Sequence, residues 1–134
     1  MPSSFNMENM PFNLLDEGEA NFLRQSLDIG YYQKGEVLLA AGDEPEGVFI
    51  IFKGRVSESE AVEGASDEQQ HVFVHYTNED YFGAWSAIRG TAIHNFIAEE
   101  ETICHILPTK TLLELMSSNS LFADYFQQNL SAKS

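Results

Sequence analysis

Tyr81-Phe-Gly-Ala-Trp-Ser-Ala-Ile-Arg-Gly-Thr-Ala-Ile-His-Asn-Phe-Ile-Ala98 is the stretch on which the fold turns. An aromatic strand end meets Gly83, and a short helical segment follows over Ala84–Ile88. Arg89-Gly90-Thr91 then turns the chain into a second strand. A strand that stops at glycine and hands over to a helix leaves backbone N–H groups and the positive end of the helix dipole facing one point. That geometry suits an anion. The rest of the chain reads as the barrel that holds this stretch.

Outward from it, the pattern is mostly β. On the N-terminal side, Ile29–Lys34 reads as a strand ending at Gly35, and Val37–Ala40 as a second, ending at Ala41-Gly42-Asp43. Glu44-Pro45-Glu46-Gly47 is a turn. Val48-Phe-Ile-Ile-Phe52 is the strongest strand signal and is expected to be buried on both faces. Lys53-Gly54 turns it into a strand beginning Arg55-Val56. Ser57–Gln70 is small and acidic and reads as a solvated hairpin loop. It lacks the alternating oxygen ligands and fixed glycine of a calcium loop. His71–Tyr76 is a strand and Thr77–Asp80 a turn.

On the C-terminal side, Glu99–Glu101 is a charged turn and Thr102–Leu107 a strand stopped by Pro108. Thr109 is placed to cap a helix running to about Met116. Ser117–Ser120 breaks it, and a last amphipathic helix carries Leu121, Phe122, Tyr125, Phe126 and Leu130 on one side. Near the N-terminus, Leu14, Leu15, Phe22, Leu23 and Leu27 share a helical face, with Gly18 as a break between two short helices. Met1–Met10 is weakly patterned and expected to be flexible. The fold class is therefore mainly β with flanking helices. It is a β-barrel or jelly roll of about eight strands with N-terminal helices and two C-terminal helices. One domain spans residues 11–134.

Composition narrows the function. A net charge of −14, from 21 acidic and 7 basic side chains, repels phosphate backbones and anionic lipid. No nucleic-acid or membrane partner is expected. The single cysteine, Cys104, forms no internal disulfide and reads as a buried apolar residue. The absence of a signal-peptide pattern makes a cytoplasmic setting the simplest expectation.

The order and spacing of these motifs resemble the cyclic nucleotide-binding domain family over nearly the whole chain, from about Pro11 to Ala132. Lys34-Gly-Glu-Val-Leu38, Ala41-Gly-Asp43 and Val48–Val56 look like the first half of that barrel, and Asp80-Tyr-Phe-Gly83 like the approach to its phosphate-binding cassette. Within the family the chain is most similar to the N-terminal domain of bacterial signalling proteins that also carry CBS domains and a nucleotidyltransferase-like region. Glu100–Pro108 and the helices over Leu112–Phe126 carry that likeness. The end of the chain soon after an amphipathic helix sets the expectation that these residues belong to a longer protein.

The resemblance implies a glutamate just after Phe-Gly that holds the ribose. It also implies an arginine about nine or ten positions later whose guanidinium fork binds the cyclic phosphate. Here Ala84 and Ala92 stand at those positions. Losing a charge-assisted contact to phosphate costs about 1.5–3 kcal/mol, and a second polar contact goes with it. Only the backbone cradle around Gly83–Ser86 carries over. The candidate ligand-binding set is Phe82, Gly83, Ala84, Trp85, Ser86, Arg89, Thr91, Ala92 and Asn95. For each of the polar or aromatic members a plainer role stands beside binding. Arg89 is a substitute phosphate ligand or a solvated turn arginine. Trp85 stacks on a base or packs under the cassette. Ser86, Thr91 and Asn95 contact a ligand or sit as helix, turn and strand-surface residues.

The four histidines do not assemble a cupin-type metal site. His71 and His75 are about 13 Å apart on an extended strand. If Ala98 opposes Thr102 in a hairpin, His94 opposes Ile106 and His105 points to the other face. No metal and no enzymatic grouping is expected. The leading expectation is a non-catalytic sensor or regulatory module in signal transduction. It would bind a cyclic nucleotide, another nucleotide or a small anion in the altered cassette. It would pass the change to attached or partner regulatory domains through the C-terminal helices. A second reading is a degenerate cassette serving as a homodimerisation or docking module. A third, the effector domain of a transcription regulator, is weaker, because no helix-turn-helix follows in this sequence and the surface is acidic.

Overall fold

The computed structural model describes residues 11–60 and 72–129. A 3-10 turn over Phe12–Leu14 leads into α1, Glu17–Ser26. The strands are β1 (Asp28–Tyr32), β2 (Val37–Leu39), β3 (Gly47–Lys53), β4 (Val56–Glu60), β5 (Val72–Tyr76) and β6 (Tyr81–Phe82). Then come α2 (Ala84–Arg89), β7 (His94–Ala98), β8 (Thr102–Pro108), α3 (Thr109–Ser118) and α4 (Ser120–Asn129). Two four-stranded antiparallel sheets face each other, in the orders β1-β8-β3-β6 and β2-β7-β4-β5. This is the jelly roll that the strand spacing implies, with helices at both chain ends.

β3 explains why its sequence is apolar without alternation. Val48 and Ile50 face the helices, in a core with Leu23, Leu112, Leu115 and Phe122. Phe49 and Ile51 face inward, in a second core with Val56, Tyr76, Phe82 and Phe96. A strand sandwiched between two cores has no polar face to show. The double burial ends before Phe52, which is 43% exposed. Cys104 lies between the sheets as an apolar residue, and burial pushes its thiol up to about 12.

Several local expectations change. The break near the N-terminus falls at Leu15–Asp16, not at Gly18, because Asp16 caps α1. Its Oδ1 accepts from the Glu19 N–H at 2.8 Å, while Glu19 Oε1 accepts from the Asp16 N–H at 2.9 Å. Thr109 does not cap α3; Pro108 holds the cap position and the Thr109 hydroxyl is buried without a hydrogen bond. Asn119 alone separates α3 from α4, and its Oδ1 accepts from the Phe122 N–H at 3.0 Å. The hairpin expected between the last two strands is absent. β7 pairs with β2 and β4, and β8 with β1 and β3, in opposite sheets. His94 therefore opposes Glu60, and His105 opposes Ile29 and Ile50. The expectations for Met1–Met10, for the acidic stretch from residue 61 to Gln70, for His71 and for Leu130 lie outside the described residues.

Candidate functional site

β6 ends at Gly83, whose φ of 88° opens the turn into α2. An L side chain strains there, so glycine is the residue the turn needs. The Ala87 N–H closes the first helical bond on the Gly83 carbonyl at 2.8 Å, and Gly90 ends the helix on the Ser86 carbonyl at 2.8 Å. Ala92 is then stitched to the turn after β2. Its N–H donates to the Asp43 carbonyl at 2.9 Å and its carbonyl accepts from the Gly42 N–H at 2.8 Å. The cassette is thus a strand, a left-handed glycine, six helical residues and a pinned return.

The side chains of the candidate set do not converge. Ala84 is 1% exposed and packs in the core beneath the helices. Ala92, at 2%, packs between the sheets. The two alanines thus serve two different cores. Phe82 stacks between Phe49 and Phe96, with ring centroids 5.1 and 4.7 Å away, and fills the interior. Arg89 is exposed and lies over the Trp85 ring, 4.2 Å from its centroid. The pair is one helical turn apart, so each partners the other at the surface. Ser86 is buried, Thr91 half-buried, and the Asn95 Oδ1 accepts from the Ala41 N–H at 2.9 Å. Asn95 therefore anchors the turn after β2.

A buried acidic group stands inside the roll, at a position expected in a solvated hairpin loop. Glu58 lies on β4, is 3% exposed and opposes Phe96 on β7. Its Oε1 accepts from the Tyr76 hydroxyl at 2.7 Å, and its Oε2 lies 2.6 Å from His94 Nδ1. Burial, and the hydrogen bond given to Glu58, hold the Tyr76 phenol well above its ordinary range, so it stays a donor. The available signal was spacing. Glu58 is two residues from Val56, which faces the interior, and strand side chains repeat every second residue. His94 opens β7, two residues after Ala92. A buried carboxylate thus stands on the interior wall, tied to the histidine that follows Ala92 by two residues. Tyr76→Phe removes one of its two partners. The expected loss is about 1–3 kcal/mol of stability, measured as a lower denaturation midpoint. In a double-mutant cycle the loss shrinks when Glu58 is already Ala, and additive losses would contradict the pairing.

The chain belongs to the cyclic nucleotide-binding domain family, whose model matches residues 29–119. Domains of this family are regulatory rather than catalytic. The human cGMP-dependent protein kinase 2 is 25% identical over 115 residues, covering 84% of this chain and 15% of the kinase. The sensor domain of the transcriptional regulator DNR from Pseudomonas aeruginosa superposes with a TM-score of 0.81 at 16% identity, over 94% of this chain and 83% of that one. The catabolite activator protein of Thermus thermophilus gives 0.73 at 19%, over 88% of this chain and 55% of that one. The regulatory domain of Toxoplasma gondii PKA, solved with cAMP, gives 0.73 at 18%, over 94% of this chain and 45% of that one. These structures share the fold. Among the described residues, no helix is long and apolar enough to cross a membrane, and no group of three or more His, Cys, Asp or Glu is placed to hold a metal.

Proposed function

We propose that this chain is a non-catalytic regulatory domain whose cassette keeps the family's backbone but does not read cyclic AMP or cyclic GMP through the family's side chains. Of the two main readings that the sequence leaves, a modified anion pocket or a silent cassette, the geometry favours the second. The observation that carries it is Glu58. Its carboxylate, 3% exposed and tied to Tyr76 and His94, puts an acidic group inside the roll, which disfavours an anion there. Arg89, the cation of the cassette, is engaged on Trp85 instead. In this reading the domain acts through its surface and its C-terminal helices, on attached or partner regulatory domains. CBS and nucleotidyltransferase-like regions in a bacterial cytoplasmic signalling protein are the context that the sequence resemblance suggests.

Calorimetry with cyclic AMP, cyclic GMP, AMP and ATP tests this. The expected result is no saturable binding at micromolar ligand. Micromolar cyclic AMP binding that survives Arg89→Ala would return the anion pocket as the correct reading.

A further inference from the structure

A cavity lies away from the cassette, at the edge of the roll. Gly83 lies by the Gly47 end of β3, since a Cβ on Gly83 would meet the Gly47 carbonyl at 3.4 Å. At the Lys53 end of the same seven-residue strand, about 20 Å away at the usual rise, lies a cavity of about 340 Å³. That volume lies at the small end of the range for small-molecule pockets. Its walls include Tyr31, Tyr32, Glu36, Lys53, Glu101 and Ile103.

Two consecutive tyrosines on β1, an edge strand, set its shape. Tyr31 points out and is 73% exposed. Tyr32 points in and folds back over Gly30, where a Cβ would meet its ring and hydroxyl at 2.7 Å. Glycine at position 30 is what lets that ring lie flat on the strand. Tyr32 is partly buried against the inner core, and burial pushes its phenol up to about 12, so it stays neutral. Glu36 is held by the Gln33 N–H, which donates to its Oε1 at 2.9 Å. Among the described residues neither Glu36 nor Glu101 belongs to an ion pair; those found are Arg55–Glu99, His75–Glu99 and His94–Glu58. Two carboxylates therefore outnumber the one ammonium of Lys53, on a chain of net charge −14.

We propose that this cavity binds an organic cation, an alkylammonium or guanidinium group, against the face of Tyr31 and between Glu36 and Glu101. Each feature fits that chemistry. An exposed aromatic face attracts such cations and does not attract anions. Carboxylates supply the charge, and the overall acidic field raises the local cation concentration. The cation can come from a free amine or from a Lys or Arg side chain of a partner.

The test is titration of the full chain with agmatine at about 150 mM salt, where diffuse surface attraction is screened. The expected result is saturable 1:1 binding, weakened at least fivefold by Tyr31→Ala and by Glu101→Gln, and tightened by Lys53→Met. The three substitutions are at exposed positions, and circular dichroism confirms that each variant is folded. An N-acetylated arginyl peptide that binds more tightly than agmatine assigns the cation to a partner chain; the reverse order assigns it to a free amine. Three results overturn the proposal: no saturable binding, binding indifferent to Tyr31→Ala, or binding weakened by Lys53→Met. The last is the sign expected of an anion. None of these outcomes depends on whether the cassette itself is silent.

Discussion

Phe122→Asp is expected to destabilise this domain severely. The last helix, read as a sequence, offers Leu121, Phe122, Tyr125 and Phe126 as one apolar side, which suits a dimer surface. The structure spends Phe122 and Phe126, with Tyr125 packed beside them, on the domain's own core, and leaves Leu121 outside it. Phe122 is 0% and Phe126 1% exposed. Their rings meet at 4.9 Å; Phe122 reaches Phe12 at 6.5 Å, and Phe126 reaches Tyr81 at 5.8 Å. α4 thus clamps the N-terminal 3-10 turn against the strand that leads into the cassette. Removing a buried Phe side chain costs about 3–5 kcal/mol. Burying a carboxylate in its place costs more, unless the helix lets go. Against a domain stability of about 5–15 kcal/mol, the substitution takes a large share. A thermal melt should show the midpoint falling by about 10 °C or more. An unchanged midpoint with an altered sedimentation coefficient would mean that Phe122 faces a partner instead. The variant suited to a docking test is Leu121→Asp, because Leu121 is 64% exposed. It should leave the melt unchanged, so any change in oligomeric state would report on the surface alone.

Gly47→Ala is the second large effect. A Cβ at residue 47 would lie 1.9 Å from the Leu107 carbonyl oxygen, 2.7 Å from its carbonyl carbon and 2.9 Å from the Pro108 Cα. All three are backbone atoms of β8, which pairs Gly47 with Pro108. No rotamer change relieves such a contact, so the two strands must part. Overpacking costs about 1–3 kcal/mol and occasionally more; with backbone as the obstacle, about 3 kcal/mol is expected. The site feels it too, because Gly83 lies beside the Gly47 carbonyl. Gly18→Ala is the control. It sits in the first turn of α1, and the nearest atom to an added Cβ is Asp16 Oδ1 at 3.5 Å. There alanine should stabilise by about 0.4–1 kcal/mol, through a less free unfolded chain and better helix propensity. Denaturant midpoints read both changes. A Gly47→Ala protein within about 0.5 kcal/mol of the parent, the usual range for a surface substitution, would refute the close approach.

What could be read along the chain was what local geometry encodes. Glycine and proline punctuation marked the strands near their observed limits, because turns need particular φ values or a missing N–H. The apolar run at Val48–Ile51 announced a strand covered on both faces. The passage from Phe82 through Gly83 into a short helix was legible from its glycine, and Ala84 and Ala92 were legible as methyl side chains with no charge to offer.

What could not be read depended on partners distant in sequence. Nothing in Phe96–Ile106 says that β7 and β8 turn into opposite sheets, because a charged turn of three residues serves a hairpin or a crossing equally well. Glu58 sits in an acidic run that looks solvated. Its burial is decided by Tyr76 and His94, which arrive 18 and 36 residues later to satisfy the carboxylate. The apolar side of α4 fits a dimer or a core, and only Phe12 and Tyr81 across the fold select the core. The sequence by itself determined the strands, the turns and the uncharged side chains at Ala84 and Ala92, since these rest on backbone preference and residue identity. The tertiary structure decided what lies inside the roll, because burial and charge pairing belong to contacts between segments.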